Sequence, residues 1–238
     1  MNIVAMVPAR MGSERLRLKN LALLNGKPLI SYAVEAAKDS GAFSRIVLNS
    51  DGDIFSKVAQ RYGVDFYLRP DQLGSSDTNS DDVVYDFMRK HPSDLVAWVN
   101  PISPLQTAEE IRQAVEYFVE EELDSLITVK NEQVHCIYQG EPVNFSLEGL
   151  FAKTQDLVPV QSFVYSVMMW RTSTFLREYE KNGYALMSGK LGYFRVSTKS
   201  SFIIKTDEDL MVAESILKAG EADGKYSISY DELVGSQL

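Results

Sequence analysis

Apolar residues run almost unbroken over 3–8 (Ile-Val-Ala-Met-Val-Pro), a pattern that suits a strand covered on both faces. Shorter runs of the same kind recur at 45–49, 64–68, 95–99 and 125–129. Between them the apolar spacing lengthens to that of amphipathic helices, predicted at 29–40, 54–62, 81–90 and 107–122. Gly41 and Gly63 follow two of these helices, where a departing chain commonly turns left-handed. Thr107, with Glu110 three residues on, predicts a capping box for a third. Strand and helix alternate throughout, which predicts an α/β fold: a mostly parallel sheet with helices on both faces.

The pattern changes after Lys130. Residues 131–163 mix periods and hold Gly140, Pro142, Gly149 and Pro159, as an irregular or hairpin-rich insertion would. Beyond it, strands are predicted at 164–170, 192–196 and 202–205, and helices at 172–181 and 207–219. Thr206 caps the last helix, with Asp209 in the third position after it. No internal repeat is visible. The expected organisation is one domain over 1–220 that includes the 131–163 insertion, with 221–238 peripheral.

Composition narrows the function classes. The chain has 238 residues, 45% hydrophobic and 24% charged, ordinary for a globular domain. A single cysteine, Cys136, excludes an internal disulfide and a cysteine-rich zinc site. His91 and His135 leave little scope for a histidine-built metal centre. His91 reads as a surface or helix-ending residue, and His135 beside Cys136 makes a poor catalytic pair, since neighbours in a strand point opposite ways. No apolar run approaches a membrane span, and the chain opens on a strand with no secretory signal pattern, so a cytoplasmic location is the default expectation. The net charge of −9, with no extended basic face, argues against a nucleic-acid partner.

Charge changes the picture at one place. Residues 10–27 hold Arg10, Arg15, Arg17, Lys19 and Lys27 against one acid, Glu14. Cations just past a first strand suit a phosphate-rich ligand; a solvated basic loop is the plainer alternative. The segment is neither a P-loop nor a Gly-x-Gly-x-x-Gly turn. Asp51 and Asp53 follow the second strand, where ligands often sit, but can equally cap the next helix; only Asp51 is kept as a candidate.

Pro8-Ala9-Arg10-Met11-Gly12-Ser13, Lys19-Asn20 and Asn25-Gly26-Lys27-Pro28-Leu29-Ile30 together resemble the acylneuraminate cytidylyltransferase family of the sugar nucleotidyltransferase superfamily. The resemblance continues through Ser50-Asp51, Leu68-Arg69-Pro70, Ser76-Asp77-Thr78 and Pro101-Ile102-Ser103-Pro104-Leu105, and reaches Thr206-Asp207-Glu208-Asp209-Leu210. It implies a three-layer, Rossmann-like nucleotide-diphospho-sugar transferase fold. It also implies transfer of CMP from CTP to a nonulosonic or related keto-sugar acid, with release of pyrophosphate. By the same resemblance Arg10, Gly12, Ser13 and Lys19 face the phosphates, Asn20 and Ser80 the base, and Arg69 the nucleotide. Asn100 stands beside the substrates where a glutamine is usual. Mg2+ is the implied cofactor, and the implied partners are the nucleotide, a small sugar-acid acceptor and a second copy of the chain, reached by the 131–163 arm.

Several positions depart from that pattern. Ile203 and Lys205 stand where two metal-holding acids are expected, leaving Asp207 and Asp209 as the metal candidates, each with a plain helix-capping use. Lys205 becomes a candidate cation at the reaction centre. Glu14 replaces a lysine of the basic loop, and Gln106 an arginine. The arginine expected for the acceptor carboxylate is missing; that stretch reads Phe163-Val164-Tyr165-Ser166-Val167. Three readings stay open: a cytidylyltransferase with an altered acceptor or metal arrangement, a nucleotidyltransferase for another nucleotide–sugar pair, and a catalytically silent nucleotide-binding protein.

Overall fold

In a computed structural model that describes residues 1–12, 15–75 and 77–221, seven strands form one sheet. They are β1 (Ile3–Ala9), β2 (Arg45–Ser50), β3 (Asp65–Leu68), β4 (Leu95–Val99), β5 (Ser125–Glu132), β6 (Val160–Arg171) and β7 (Leu191–Arg195). Their order across the sheet is β7-β5-β6-β4-β1-β2-β3, and every pairing is parallel except the two made by β6. β1 is buried at all seven positions, as its unbroken apolar run requires.

Helices cover both faces. α1 (Leu29–Asp39), α2 (Ile54–Tyr62) and α4 (Ala108–Glu120) pack their apolar stripes on one face, around Ile30, Val34, Phe55, Ile111 and Phe118. α3 (Ser80–Lys90) and α5 (Thr172–Asn182) cover the other, through Val84, Phe87 and Phe175 against Met6, Ile127 and Trp170. α6 (Asp207–Glu221) closes a smaller cluster with Leu24, Leu29 and Ile204. This is the expected three-layer α/β arrangement. Gly63 ends α2 in the left-handed conformation at φ 64°. Among the described residues no helix is long and apolar enough to cross a membrane.

Four details differ from the sequence expectation. Residues 202–205 are not a strand. β4 has β1 and β6 on its flanks, and Ile204 straps across the turn beyond it, donating its N–H to the Ile102 carbonyl at 2.8 Å. β6 starts at Val160, four residues early, because it continues to pair with an extended β5 before a bulge between Phe163 and Met168. His91 ends α3 but is buried between Tyr67 and Phe87, not at the surface; burial, aided by Arg45, pushes its imidazole below the usual 6.5. Glu110 does more than close a capping box with Thr107. Its N–H donates to Thr107 Oγ1, while its carboxylate also reaches Gln106, Ser197 and Ser200.

The rest of the 131–163 segment forms a two-stranded hairpin, Ile137–Tyr138 with Glu141–Pro142, and the short turn Thr154–Asp156. His135 stacks on Phe151 with ring centroids 4.2 Å apart, and Ile137, Tyr138, Leu147, Leu150 and Val158 are exposed. Ser13, Glu14 and the segment after 221 lie outside the described residues.

Candidate functional site

β1 is joined to β2 on one side and to β4 on the other, so the chain reverses its direction of travel across the sheet there. Beyond the carboxyl ends of strands at such a point, a parallel sheet leaves a crevice. Here it is a cavity of about 240 Å³ lined by Arg10, Lys19, Asn20, Arg69, Ser80, Trp98 and Asn100, among others. They arrive from five elements. Arg10 follows β1, Arg69 follows β3 and Asn100 follows β4; Ser80 opens α3; Lys19 and Asn20 lie in the short turn Lys19–Leu21. Six expected site residues thus share one crevice. Gly12 is not in its wall, and a Cβ added there would meet nothing within 4 Å, so close backbone packing does not require glycine at that position.

The cations are held by different means. Lys19 Nζ donates to the Ile204 carbonyl at 3.2 Å. Burial first, then repulsion from Arg15 and Arg10, pushes its ammonium below the usual 10.5, against an opposite pull from Asp209. Arg69 is 5% exposed; its Nη2 lies 3.6 Å from Asp51 Oδ1, and its Nε has no hydrogen-bond partner among the described residues. Burial pulls the guanidinium below its usual range, Asp51 pushes it back and Arg10 lowers it again. A bound anion would relieve both groups.

Asn100 is fixed by its backbone, whose N–H donates to the Ser166 carbonyl of β6 at 2.9 Å. Trp98 supplies a wall of the crevice, and its indole N–H lacks a partner among the described residues. The sequence reading missed Trp98. Its signal was present in the strand alternation, which sets Trp98 on the same face as Val96, one position before the carboxyl end of β4.

Lys205, Asp207 and Asp209 do not line the crevice. Asp209 Oδ2 accepts the N–H groups of Lys205 and Thr206 at 2.8 and 2.9 Å, and Thr206 Oγ1 accepts the Asp209 N–H at 3.2 Å, a complete capping box. Those hydrogen bonds overcome burial and hold the Asp209 carboxyl below the usual 3.8. Asp207 Oδ1 accepts the N–H of Glu208. Among the described residues no three acidic, histidine or cysteine side chains group closely enough to hold a metal ion. Mg2+ commonly takes one or two carboxylates together with substrate phosphates and water; with Asp209 engaged in the helix cap, Asp207 is the carboxylate that would be left to hold it.

Across the same edge of the sheet the composition changes. Met6, Trp98, Met168, Ile127 and Tyr193 are register partners on successive strands and form one row across a single face. At its end Tyr193 stacks on Phe163, whose ring meets Tyr165 edge-on with centroids 5.7 Å apart. Tyr165 sits in the β6 bulge at φ 59°, a left-handed conformation rare for an aromatic residue.

The sequence profile of a cytidylyltransferase family matches residues 4–212. The chain is 30% identical over 232 residues to N-acylneuraminate cytidylyltransferase A of Danio rerio, covering 92% of this chain and 52% of that protein. It is 25% identical over 215 residues to the N-acylneuraminate cytidylyltransferase of Streptococcus agalactiae serotype V, covering 85% and 52%. The chain thus spans about half the length of these relatives. In fold it is similar to a CMP:2-keto-3-deoxy-manno-octonic acid synthetase complexed with CTP, with a TM-score of 0.72 and 14% identity over 92% of this chain and all of that one. The matched residues run from β1 through the crevice into α6, and the chain belongs to the acylneuraminate cytidylyltransferase-like family of nucleotidyltransferases.

Proposed function

We propose that the chain transfers the cytidylyl group of CTP to a hydroxyl of a nonulosonic or related keto-sugar acid, with release of pyrophosphate. The observation that carries this reading is the convergence of Arg10, Lys19 and Arg69 with Asn20, Ser80 and Asn100 on one crevice at the strand ends. Arg10 and Lys19 hold phosphate oxygens, and Arg69 adds a buried fork to the nucleotide. Asn20 and Ser80 supply the amide and hydroxyl that can read a pyrimidine edge. Asn100 faces the junction of nucleotide and acceptor. The acceptor oxygen attacks the α-phosphorus, the α–β phosphoanhydride bond breaks, pyrophosphate leaves with the bonding electrons, and the hydroxyl proton passes to water. Alignment and fixed positive charge are what this chain contributes. No step is assigned to magnesium.

The acceptor is expected on the Phe163, Tyr165 and Tyr193 side. The rings favour an apolar sugar face there, and the Tyr165 and Tyr193 hydroxyls can donate to a carboxylate, without the charge an arginine would bring. The exposed apolar residues of the 131–163 segment suit contact with a second copy of the chain, as the family resemblance implies; a monomeric mass in solution would remove that part.

A catalytically silent nucleotide-binding role is the second reading, favoured by Ile203 and Lys205 at the positions of the expected acids and by the capping duty of Asp209. One assay separates the readings: pyrophosphate release from CTP with a panel of nonulosonic and keto-sugar acids, alongside calorimetric binding of CTP. Release with CTP supports the transferase. Release only with another nucleotide selects a different nucleotide–sugar pair. Binding with no release across the panel selects the silent form.

A further inference from the structure

We infer that Asp51 is the positioning residue of the phosphate grip, tying the start of the basic loop to Arg69 and to the turn that follows it. This rests on the nucleotide-site reading above. Asp51 follows β2, which lies between β1 and β3, so its carboxylate reaches what comes after both neighbours. The Met11 N–H donates to Oδ1 at 3.1 Å and reaches Oδ2 at 3.4 Å, which fixes the residue next to Arg10. Arg69 Nη2 stands 3.6 Å from Oδ1, and the Asp51 side chain is only 13% exposed.

The third tie is steric. Gly74 ends the turn Asp71–Gly74, whose neighbours Leu73 and Ser75 line the crevice. A Cβ on Gly74 would overlap Asp51 Oδ2 and lie 2.6 Å from its Cγ and 2.7 Å from its Cβ. Only a residue without a side chain lets the turn close on that carboxylate. Three wall segments therefore converge on one acid that is not itself part of the wall.

The arrangement answers a specific electrostatic problem. Arg10 and Arg69 are both cations in the crevice and repel each other, and Arg69 is nine-tenths buried with an unpartnered Nε. A buried guanidinium without a counter-charge is costly and badly located. Asp51 offsets the repulsion from outside the ligand's space and leaves the remaining N–H groups of Arg69 to an incoming phosphate.

Position and charge predict opposite signs for one substitution. If Asp51 acted only through its field, Asp51→Asn would remove a negative charge near a triphosphate and tighten its binding. As a positioning residue, its loss frees Arg69 and the loop and weakens binding. Calorimetry with CTP and with cytidine on the full chain decides between them. Asp51→Asn is expected to bind CTP about tenfold or more weakly, the scale of one charge-assisted contact, while cytidine binding is unchanged. Gly74→Ala keeps the charge but displaces the carboxylate, and is expected to give the same loss; it also decides the matter should Asp51→Asn fail to fold. Equal or tighter CTP binding by the folded variants overturns the inference, as does a parallel loss for cytidine, which would mark collapse of the whole crevice. Failure of the unaltered chain to bind CTP would instead remove the nucleotide-site reading, and the role of Asp51 with it.

Discussion

Along the carboxyl edge of the sheet, β1, β2, β3 and β4 are followed by Arg10, Asp51, Arg69 and Asn100. Farther along the sheet, β6 presents Phe163 and Tyr165, and β7 presents Tyr193. β6 runs opposite to its neighbours, so it is the early residues of this strand that reach this edge. One half is built from charge held by charge, the other from rings held by rings. The first suits a ligand of fixed and dense charge, where geometry must be tight to be worth its desolvation cost. The second suits a surface that tolerates variation, since ring faces accept many C–H-bearing shapes. A shared scaffold can thus keep one substrate constant while the other changes.

The sharpest way to break that contrast is to remove a cation and a ring in turn. Arg10→Ala is expected to weaken CTP binding by about 10- to 100-fold, equivalent to about 1.5–3 kcal/mol for hydrogen bonds to a charged group. Tyr193→Ala is expected to leave CTP binding within about twofold, because its ring lies three strands from Trp98. Calorimetry on both variants tests this; equal losses would abolish the division. Titrating the unaltered chain adds a pH signature. Because Lys19 ionises below the usual 10.5, CTP binding should decline on the alkaline side at a lower pH than an ordinary lysine would dictate. The sign follows from the charged form being the one that holds phosphate.

A smaller effect tests what joins the two halves. The Glu110 carboxylate accepts Gln106 Nε2 at 2.8 Å, the Ser197 N–H at 2.7 Å and the Ser200 hydroxyl. It therefore ties the turn after the crevice to the turn after β7. Burial alone would raise its carboxyl, but hydrogen bonds from Ser200, Ser197 and Thr107 outweigh it and hold the group below the usual 4.5. The stabilisation is complete above that ordinary value and disappears as pH falls through the lower folded value. Glu110→Gln should cost about 1–2 kcal/mol near neutrality and flatten the acid limb of stability below about pH 4.5. Chemical denaturation across pH measures both; an unchanged acid limb would discount the brace.

What could be read from the chain follows the same division. The strands from 3 to 129 and their helices were legible because each buried parallel strand writes an apolar run; the charge run from Arg10 to Lys27 marked a phosphate loop, while Asn20, Arg69, Ser80 and Asn100 were marked by the family resemblance. The Asp209 cap was legible from spacing alone. The strap at 202–205 was not, since Phe202-Ile203-Ile204 has the composition of a strand and only its tertiary position, across the turn after β4, keeps it out of the sheet. His91 ends its helix as one of the two readings had it, but its burial was not legible, because it depends on Tyr67 and Phe87, one of them distant in sequence. Asp51 as a hub was invisible, since nothing local announces that residues 11, 69 and 74 will meet on it.

The smallest predicted effect falls on the aromatic side and concerns strain. Tyr165 holds φ 59° inside a strand bulge, and a left-handed backbone at a bulky residue carries a cost of order 1 kcal/mol or more. Tyr165→Asn loses the edge contact with Phe163, worth about 0.5–1.5 kcal/mol, but relieves the backbone, since asparagine tolerates that conformation. The two terms nearly cancel, so the variant should change stability by no more than about 0.5 kcal/mol. Phe163→Asn, at a residue without positive φ, has no relief to offset its loss and should cost about 1–2 kcal/mol. Denaturant titration of the pair gives the comparison. Equal losses would mean the bulge carries no strain; a Tyr165 variant that is no less stable yet transfers to acceptor more slowly would mean the strain is kept for the ring it aims.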